Sequence, residues 1–258
     1  IDDGSKDNTL DLLEAIKSEQ LKVHSMGFNS GGPAEPRNKA IKIAKNNWIC
    51  FCDSDDSWPI GKLKRLREFI ENCYMKPDFI YHNSISRKTS KSLSRPYPKS
   101  FSQINHFYVL TRLNIPMSTL VVNNDTLSNS NNIRFPSGNN YVAIEDSVLI
   151  YDFYFANWCA GFIADLYTEY NDTSVDRISG FNQYIRKLDY LKSNPYRINR
   201  YVSLATVQYL RLTILFKFKS IHQIMPILGM LYLLPFTLTL SMCSYSIGSL
   251  SNIKSRQL

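Results

Sequence analysis

Asp53, Asp55 and Asp56 stand together directly after the apolar run Trp48-Ile49-Cys50-Phe51-Cys52, with Ser54 between the first two acids. An apolar run of this length reads as a buried strand, and the acids fall at its C-terminal end. That is the edge at which open α/β sheets bind ligands. Carboxylates spaced as Asp-x-Asp suit a hard divalent cation, Mg²⁺ or Mn²⁺, that also takes phosphate oxygens. These residues point to an enzyme that handles a phosphorylated, nucleotide-linked substrate. A plainer reading makes the three acids a cap on the turn into a helix at Pro59. It leaves their mutual repulsion uncompensated, so metal binding ranks ahead of it.

Further signatures surround this one. The chain opens Ile1-Asp2-Asp3-Gly4-Ser5, with Asp7-Asn8-Thr9 ahead of the apolar positions Leu10, Leu13 and Ile16. This is a strand end, a turn and a capped helix. Asp2 and Asp3 offer carboxylate acceptors to a base N–H and ribose hydroxyls; the plainer role is holding the turn. Gly31-Gly32-Pro33-Ala34-Glu35-Pro36-Arg37-Asn38 runs into a second helix, with Ile41 and Ala44 on one face. Glycines permit close backbone approach, although a turn alone explains them. Well downstream, Ile144-Glu145-Asp146 opens another helix, where the N-terminus favours negative charge.

As a set, in this order and spacing, DDGSKDNT, GGPAEPRNKAIKIA and WICFCDSDDSW followed by Lys62-Leu63, with the later Glu145-Asp146, resemble glycosyltransferase family 2. The resemblance is to the inverting, GT-A-fold enzymes of bacterial surface-polysaccharide synthesis, and covers about residues 1–170. It implies an α/β, Rossmann-like, mostly parallel sheet flanked by helices. It implies that Asp55 ligates the metal, that Asp53 faces the ribose or the metal, and that Asp56 supports the loop. By the same resemblance Asp2 and Asp3 hold the nucleoside, commonly uridine, and Arg37 is the cation near the nucleotide, where a solvated helix residue is an equal alternative. Asp146 is then the general base, Glu145 orients its neighbours, and Trp58 shapes the site or simply packs. The implied reaction moves a sugar from a nucleotide-diphosphate sugar to a hydroxyl of a lipid-linked saccharide, with inversion at the anomeric carbon. The family begins with a strand and helix ahead of the first residue of this chain, so the expectation is that these are missing here and that activity and stability suffer.

The 258 residues fit one large α/β domain with an appendage. The expected division is 1–175 as the catalytic domain, with the nucleotide-sugar half at about 1–100 and the acceptor half at about 101–175, and 176–258 as a basic helical and apolar region. Five cysteines, odd in number and without metal-type spacing, read as reduced core thiols. The four histidines show no ligand spacing. The formal net charge is +8, and its excess lies in one stretch. Residues 177–219 hold nine Lys or Arg and one acid, while 220–253 contain no charged residue. A basic stretch beside an uncharged apolar one reads as attachment to an anionic membrane surface, on the cytoplasmic face. Nucleic-acid motifs are absent from the sequence. Ile224–Leu240 is about as apolar as a span, which needs roughly 20 residues, but Pro226 and Pro235 interrupt it. A span, a re-entrant hairpin, an interfacial helix and a soluble helix pair all remain open.

The expected strands are Leu21–Ser25, Trp48–Cys52, Phe79–His82, Ser118–Val122 and Gly161–Tyr170; a loop is expected over 86–100. The expected helices are Leu10–Glu19, Glu35–Lys45, Pro59–Cys73, Ser147–Phe155, Phe181–Lys192 and Arg200–Lys219. Two other functions compete: a non-catalytic membrane-associated scaffold, and a phosphatase using an Asp-x-Asp nucleophile. The phosphatase leaves both the DDGS and the Glu-Asp signatures unexplained.

Overall fold

The computed structural model describes residues 1–90, 109, 115–130, 133–171 and 181–193. Its four-stranded sheet is built from β1 (Trp48–Cys50), β2 (Phe79–Ser86), β3 (Val121–Asn123) and β4 (Ala160–Tyr170), in the order β1-β3-β2-β4. β3 pairs antiparallel with both β1 and β2, and β2 pairs in parallel with β4. The sheet is thus mixed, which corrects the expected mostly parallel one. β1, β2 and β4 run one way and β3 runs against them. Apolar alternation has the same period in either direction, so the sequence pattern carries no information on which way β3 enters.

That alternation does set the layers. Ile49, Phe79, Tyr81 and Val122 face one core, shared with Leu149, Ile150 and Phe153. Cys50, Ile80 and Val121 face the other, shared with Leu66 and Phe69. Among the described residues six helices accompany the sheet: α1 (Thr9–Ala15), α2 (Ala34–Ile43), α3 (Lys62–Asn72), α4 (Asn124–Asn129), α5 (Glu145–Phe155) and α6 (Phe181–Ser193). α3 covers the second core, while α5 is sunk in the first with Val148–Tyr151 and Phe153 all buried. α6 packs on the same core: Leu191 is fully buried, and the Tyr190 ring lies 6.2 Å from Tyr151 and 6.3 Å from Tyr141.

Two departures from expectation bear on the site. Leu21–Ser25 forms no ladder and contributes a single parallel bridge between Ser25 and Asp2. β2 runs four residues beyond His82, and its pairing with β4 shifts there: His82 faces Ile163, but Asn83 faces Tyr167. Such a bulge re-aims the strand beyond it. The Asn83 side-chain amide donates to the Ala164 carbonyl at 2.7 Å within the bulge. His82 is buried beside it, and burial drives its pKa down to about 4, which keeps the ring neutral. Among the described residues no helix is long and apolar enough to cross a membrane. The helix expected at 200–219, the apolar stretch after it and residues 91–100 lie outside the described residues.

Candidate active site

Beyond β1 the chain makes a tight turn, with the Asp56 N–H donating to the Asp53 carbonyl at 3.1 Å. Several ties fix this turn. The Asp53 N–H donates to Ser118 Oγ at 2.9 Å. The Asn171 N–H donates to Asp56 Oδ1 at 2.9 Å. Ser57 and Glu169 exchange backbone hydrogen bonds at 3.1 and 3.0 Å. Asp56 Oδ2 is buried without a hydrogen-bond partner. Burial raises the Asp56 pKa, against the opposing pull of the Ser118 hydroxyl and the Asn171 N–H. Asp55 is exposed, and no described residue donates a hydrogen bond to it.

Arg37 joins this turn to the start of α5. Its Nη2 lies 2.6 Å from Asp53 Oδ1 and its Nη1 3.1 Å from Glu145 Oε1. The guanidinium also stacks over Phe135, 5.3 Å from the ring centroid. Glu145 is 5% exposed and its Oε2 has no partner. Burial, with the neighbouring Asp146 charge, raises the Glu145 pKa, and Arg37 opposes the rise. Asp146 is half-buried, its Oδ1 accepting from the Ser147 N–H at 2.6 Å. Just ahead, Ala143 takes φ 71°, a strained conformation for a residue with a Cβ. Arg186 of α6, which belongs to the basic stretch, donates to the Val142 carbonyl. A small open cleft separates Gly31, Gly32 and Glu35 from Gly138, Tyr141 and Glu145.

Asp2 and Asp3 sit at the other side of this cleft's glycines. Asp2 is buried, and its carboxylate accepts from the N–H groups of Gly4 (3.1 Å) and Ser5 (3.3 Å) and from the Ser25 hydroxyl (3.3 Å). The Ser5 hydroxyl and these donors hold its pKa below the usual range. Asp3 accepts from the Ser30 N–H at 3.0 Å and lies 2.9 Å from the Ser30 hydroxyl. Gly4 is required here. Its φ is 77°, and a Cβ would sit 2.7 Å from the backbone of Phe28 and Asn29.

The structure therefore gathers Arg37, Asp53 and Glu145 by direct contact, with Asp55, Asp56 and Asp146 as their immediate chain neighbours. Asp2 and Asp3 are joined instead to the 25–30 segment. Four residues that brace the turn went unassigned in the sequence reading: Ser118 and Asn171, which bond it directly, and Lys62 and Thr168, which bond the Ser118 carbonyl. Only Lys62 left a trace, as the basic residue after the acidic run. Among the described residues no three His, Cys, Asp or Glu side chains converge into a protein cage for a metal. A free exposed carboxylate such as Asp55 instead suits a cation that takes most of its ligands from phosphate and water.

Comparison with known proteins follows the same lines. The sequence model of "Glycosyl transferase family 2" matches residues 1–124. The poly(ribitol-phosphate) beta-N-acetylglucosaminyltransferase TarS of Staphylococcus aureus is 32% identical over 129 residues, 48% of this chain and 22% of that protein. The UDP-Glc:alpha-D-GlcNAc-diphosphoundecaprenol beta-1,3-glucosyltransferase WfaP of Escherichia coli is 31% identical over 157 residues, 57% of this chain and 54% of that protein. The chain thus spans between about a fifth and about half of the length of these relatives. The crystal structure of S. aureus TarS 1-349 in complex with UDP-GlcNAc superposes with a TM-score of 0.57 at 22% identity, over 86% of this chain and 64% of that one. That likeness is one of fold. Over residues 1–124 the chain matches the glycosyl transferase family 2 model, and there the resemblance first carried by the acidic and glycine signatures is borne out.

Proposed function

We propose that this chain is the catalytic part of an inverting glycosyltransferase that moves a sugar from a nucleotide-diphosphate sugar, a UDP-sugar in the first instance, to a hydroxyl of a lipid-linked saccharide or polysaccharide. The observation that carries the reading is the Arg37 bridge. It ties the Asp53 turn, at the end of a strand, to the Glu145-Asp146 helix start more than ninety residues away. Nothing in simple packing calls for two acidic signatures to share one guanidinium at the ligand-binding edge of the sheet.

In this reading Asp146 accepts the proton of the acceptor hydroxyl. The freed oxygen attacks the anomeric carbon, and the carbon–oxygen bond to the diphosphate breaks on the opposite face. The bonding pair leaves with the nucleoside diphosphate, and a single displacement inverts the centre. Asp55, with Asp53 beside it, would hold a Mg²⁺ or Mn²⁺ ion whose charge offsets that of the departing diphosphate. Arg37 fixes Asp53 and Glu145 so that neither carboxylate swings into the path of the acceptor. Asp2 and Asp3 border the nucleoside, and Trp58 walls the site. The same reading puts the protein at the cytoplasmic face of an anionic membrane, on the strength of the charge concentrated in 177–219 and the uncharged stretch after it.

The test is release of UDP from UDP-glucose and UDP-N-acetylglucosamine in the presence of Mn²⁺ and either a diphosphoundecaprenol-linked sugar or poly(ribitol phosphate). Asp146→Asn is expected to lower turnover by about 10²–10⁴-fold, the usual worth of a general base, and to leave UDP affinity unchanged. Parallel loss of turnover and UDP affinity in this variant would make Asp146 structural. No release from any donor would end the transferase reading.

A further inference from the structure

We propose that Ser118 and Lys62 are positioning residues that set the acidic turn at Asp53–Asp56 for binding a divalent cation and a diphosphate, an inference that rests on the transferase reading above. Ser118 is fully buried in the 3₁₀ turn Met117–Thr119, ahead of β3. Its hydroxyl and its carbonyl are both committed. Its hydroxyl takes the Asp53 N–H at 2.9 Å. Its carbonyl receives three donors: Lys62 Nζ at 2.7 Å, Trp58 Nε1 at 3.2 Å and Thr168 Oγ1 at 3.2 Å. A carbonyl has two lone pairs, so three donors on one oxygen is a saturated site. The three donors come from the segment after the turn, from the first residue of α3 and from β4 beyond its bulge. One buried residue therefore ties the turn to the segment after it, to α3 and to β4.

Lys62 is the costly member. It is 2% exposed, its ammonium lies 4.0 Å from the Trp58 ring centroid, and its Nζ is 3.4 Å from Thr168 Oγ1. An ammonium is expensive to bury, and an apolar side chain of the same length would fill the space without that cost. Burial pushes its pKa down to about 8, with Cys50, Cys52 and Asp56 pulling the other way. What the charge supplies here is a fixed pull on the Ser118 carbonyl, beside the turn that carries Asp56. The Ser118 hydroxyl passes that fixed position to the Asp53 backbone, two residues before Asp55. The turn is then held in shape before ligand arrives, so binding orders less chain.

The experiment measures binding of UDP with Mn²⁺ to the full chain by titration calorimetry, alongside donor KM, kcat and thermal stability. Ser118→Ala deletes the acceptor of the Asp53 N–H and keeps the carbonyl. Thr168→Val keeps shape and deletes one donor. Lys62→Met deletes the charge. Ser118→Ala and Lys62→Met are expected to raise the Kd for UDP–Mn²⁺ and the donor KM about tenfold or more, with kcat changed less than threefold; Thr168→Val is expected to raise Kd about threefold. Arg65→Ala is the control: it lies on the same helix, in an exposed pair with Asp165 at 3.0 Å, and its Kd should equal that of the wild type. A Ser118→Ala protein that binds UDP–Mn²⁺ as tightly as the wild type overturns the positioning role, whatever its stability. A wild type that does not bind UDP–Mn²⁺ overturns the transferase reading and this inference together.

Discussion

Arg37→Met isolates the bridge between the two acidic signatures. Methionine keeps the length and the apolar contact with Phe135 but removes the guanidinium. Glu145 is then left with neither oxygen partnered, since its Oε2 already lacks a donor and its side chain is only 7% exposed. Breaking a buried ion pair from one side costs about 3–5 kcal/mol. Asp53 is one-third exposed, so water compensates most of its share and an exposed pair adds at most about 1 kcal/mol. A total near 3 kcal/mol at pH 8 is expected, or roughly 6–12 °C in Tm for a domain of this size. The pH dependence is more diagnostic. The folded-state pKa of Glu145 is already above its ordinary 4.5, and losing Arg37 raises it further. A raised folded-state pKa contributes stability that is present below the unfolded value and lost as pH rises through the folded one. The deficit of Arg37→Met should thus be small at pH 5 and grow toward pH 8. Glu145→Gln added to it should recover most of the loss, with a coupling of about 1.5 kcal/mol or more in the double-mutant cycle. Urea unfolding of the three variants at four pH values reads all of this. A deficit independent of pH, or additive single effects, would refute the reasoning.

Other changes probe separate links. Asp55→Asn should abolish transfer and Mn²⁺-dependent UDP binding while shifting stability by less than about 0.5 kcal/mol, the usual range for an exposed site; turnover that survives excess chelator would remove the metal role. Gly4→Ala forces a Cβ against the Phe28–Asn29 backbone at a positive φ and should cost about 1–3 kcal/mol in chemical denaturation, so wild-type stability would contradict the described turn. A chain ending at Lys219 should bind anionic vesicles through its basic stretch, at roughly 1 kcal/mol per basic residue near the surface, and come off in high salt. The full chain should stay bound until detergent is added, and its failure to bind such vesicles at low salt would refute membrane attachment.

The sequence exposed those parts of the fold whose burial is apolar and local. Trp48–Cys50 and Phe79–His82 were legible because consecutive apolar residues have few alternatives to a buried strand. β2 was read too short because Asn83, Ser84 and Ser86 are buried polar residues, and their satisfaction depends on a bulge in another strand. α4 was missed because Asn124–Asn129 is made of poor helix formers; it stands on a cap, Asn123 Oδ1 accepting from the Asp125 and Thr126 N–H groups at 2.9 and 3.1 Å. At the site, the acidic and glycine signatures were visible as strings. Their joining by Arg37 was not, since no local spacing relates residues 37 and 145. Ser118 left no signal, because a lone serine is common and its partners, Asp53, Trp58, Lys62 and Thr168, lie at least fifty residues away in sequence.

The strand order has a bearing on which stretch of this chain can fold by itself. The family match ends at residue 124, but β2 completes its pairing only through β4, from Phe79 opposite Ala160 to Ser86 opposite Tyr170. A polypeptide cut at 124 would keep β1, β2 and β3 yet present β2, eight residues long, as an unprotected edge. It would also lack α5, whose apolar side chains fill the core against Phe79 and Tyr81. Such an edge invites pairing between copies. The segment that the family model matches is therefore expected not to fold by itself. β2 gains its second partner, and Phe79 and Tyr81 their covering helix, only once β4 and α5 have docked, and contacts this distant in sequence form slowly.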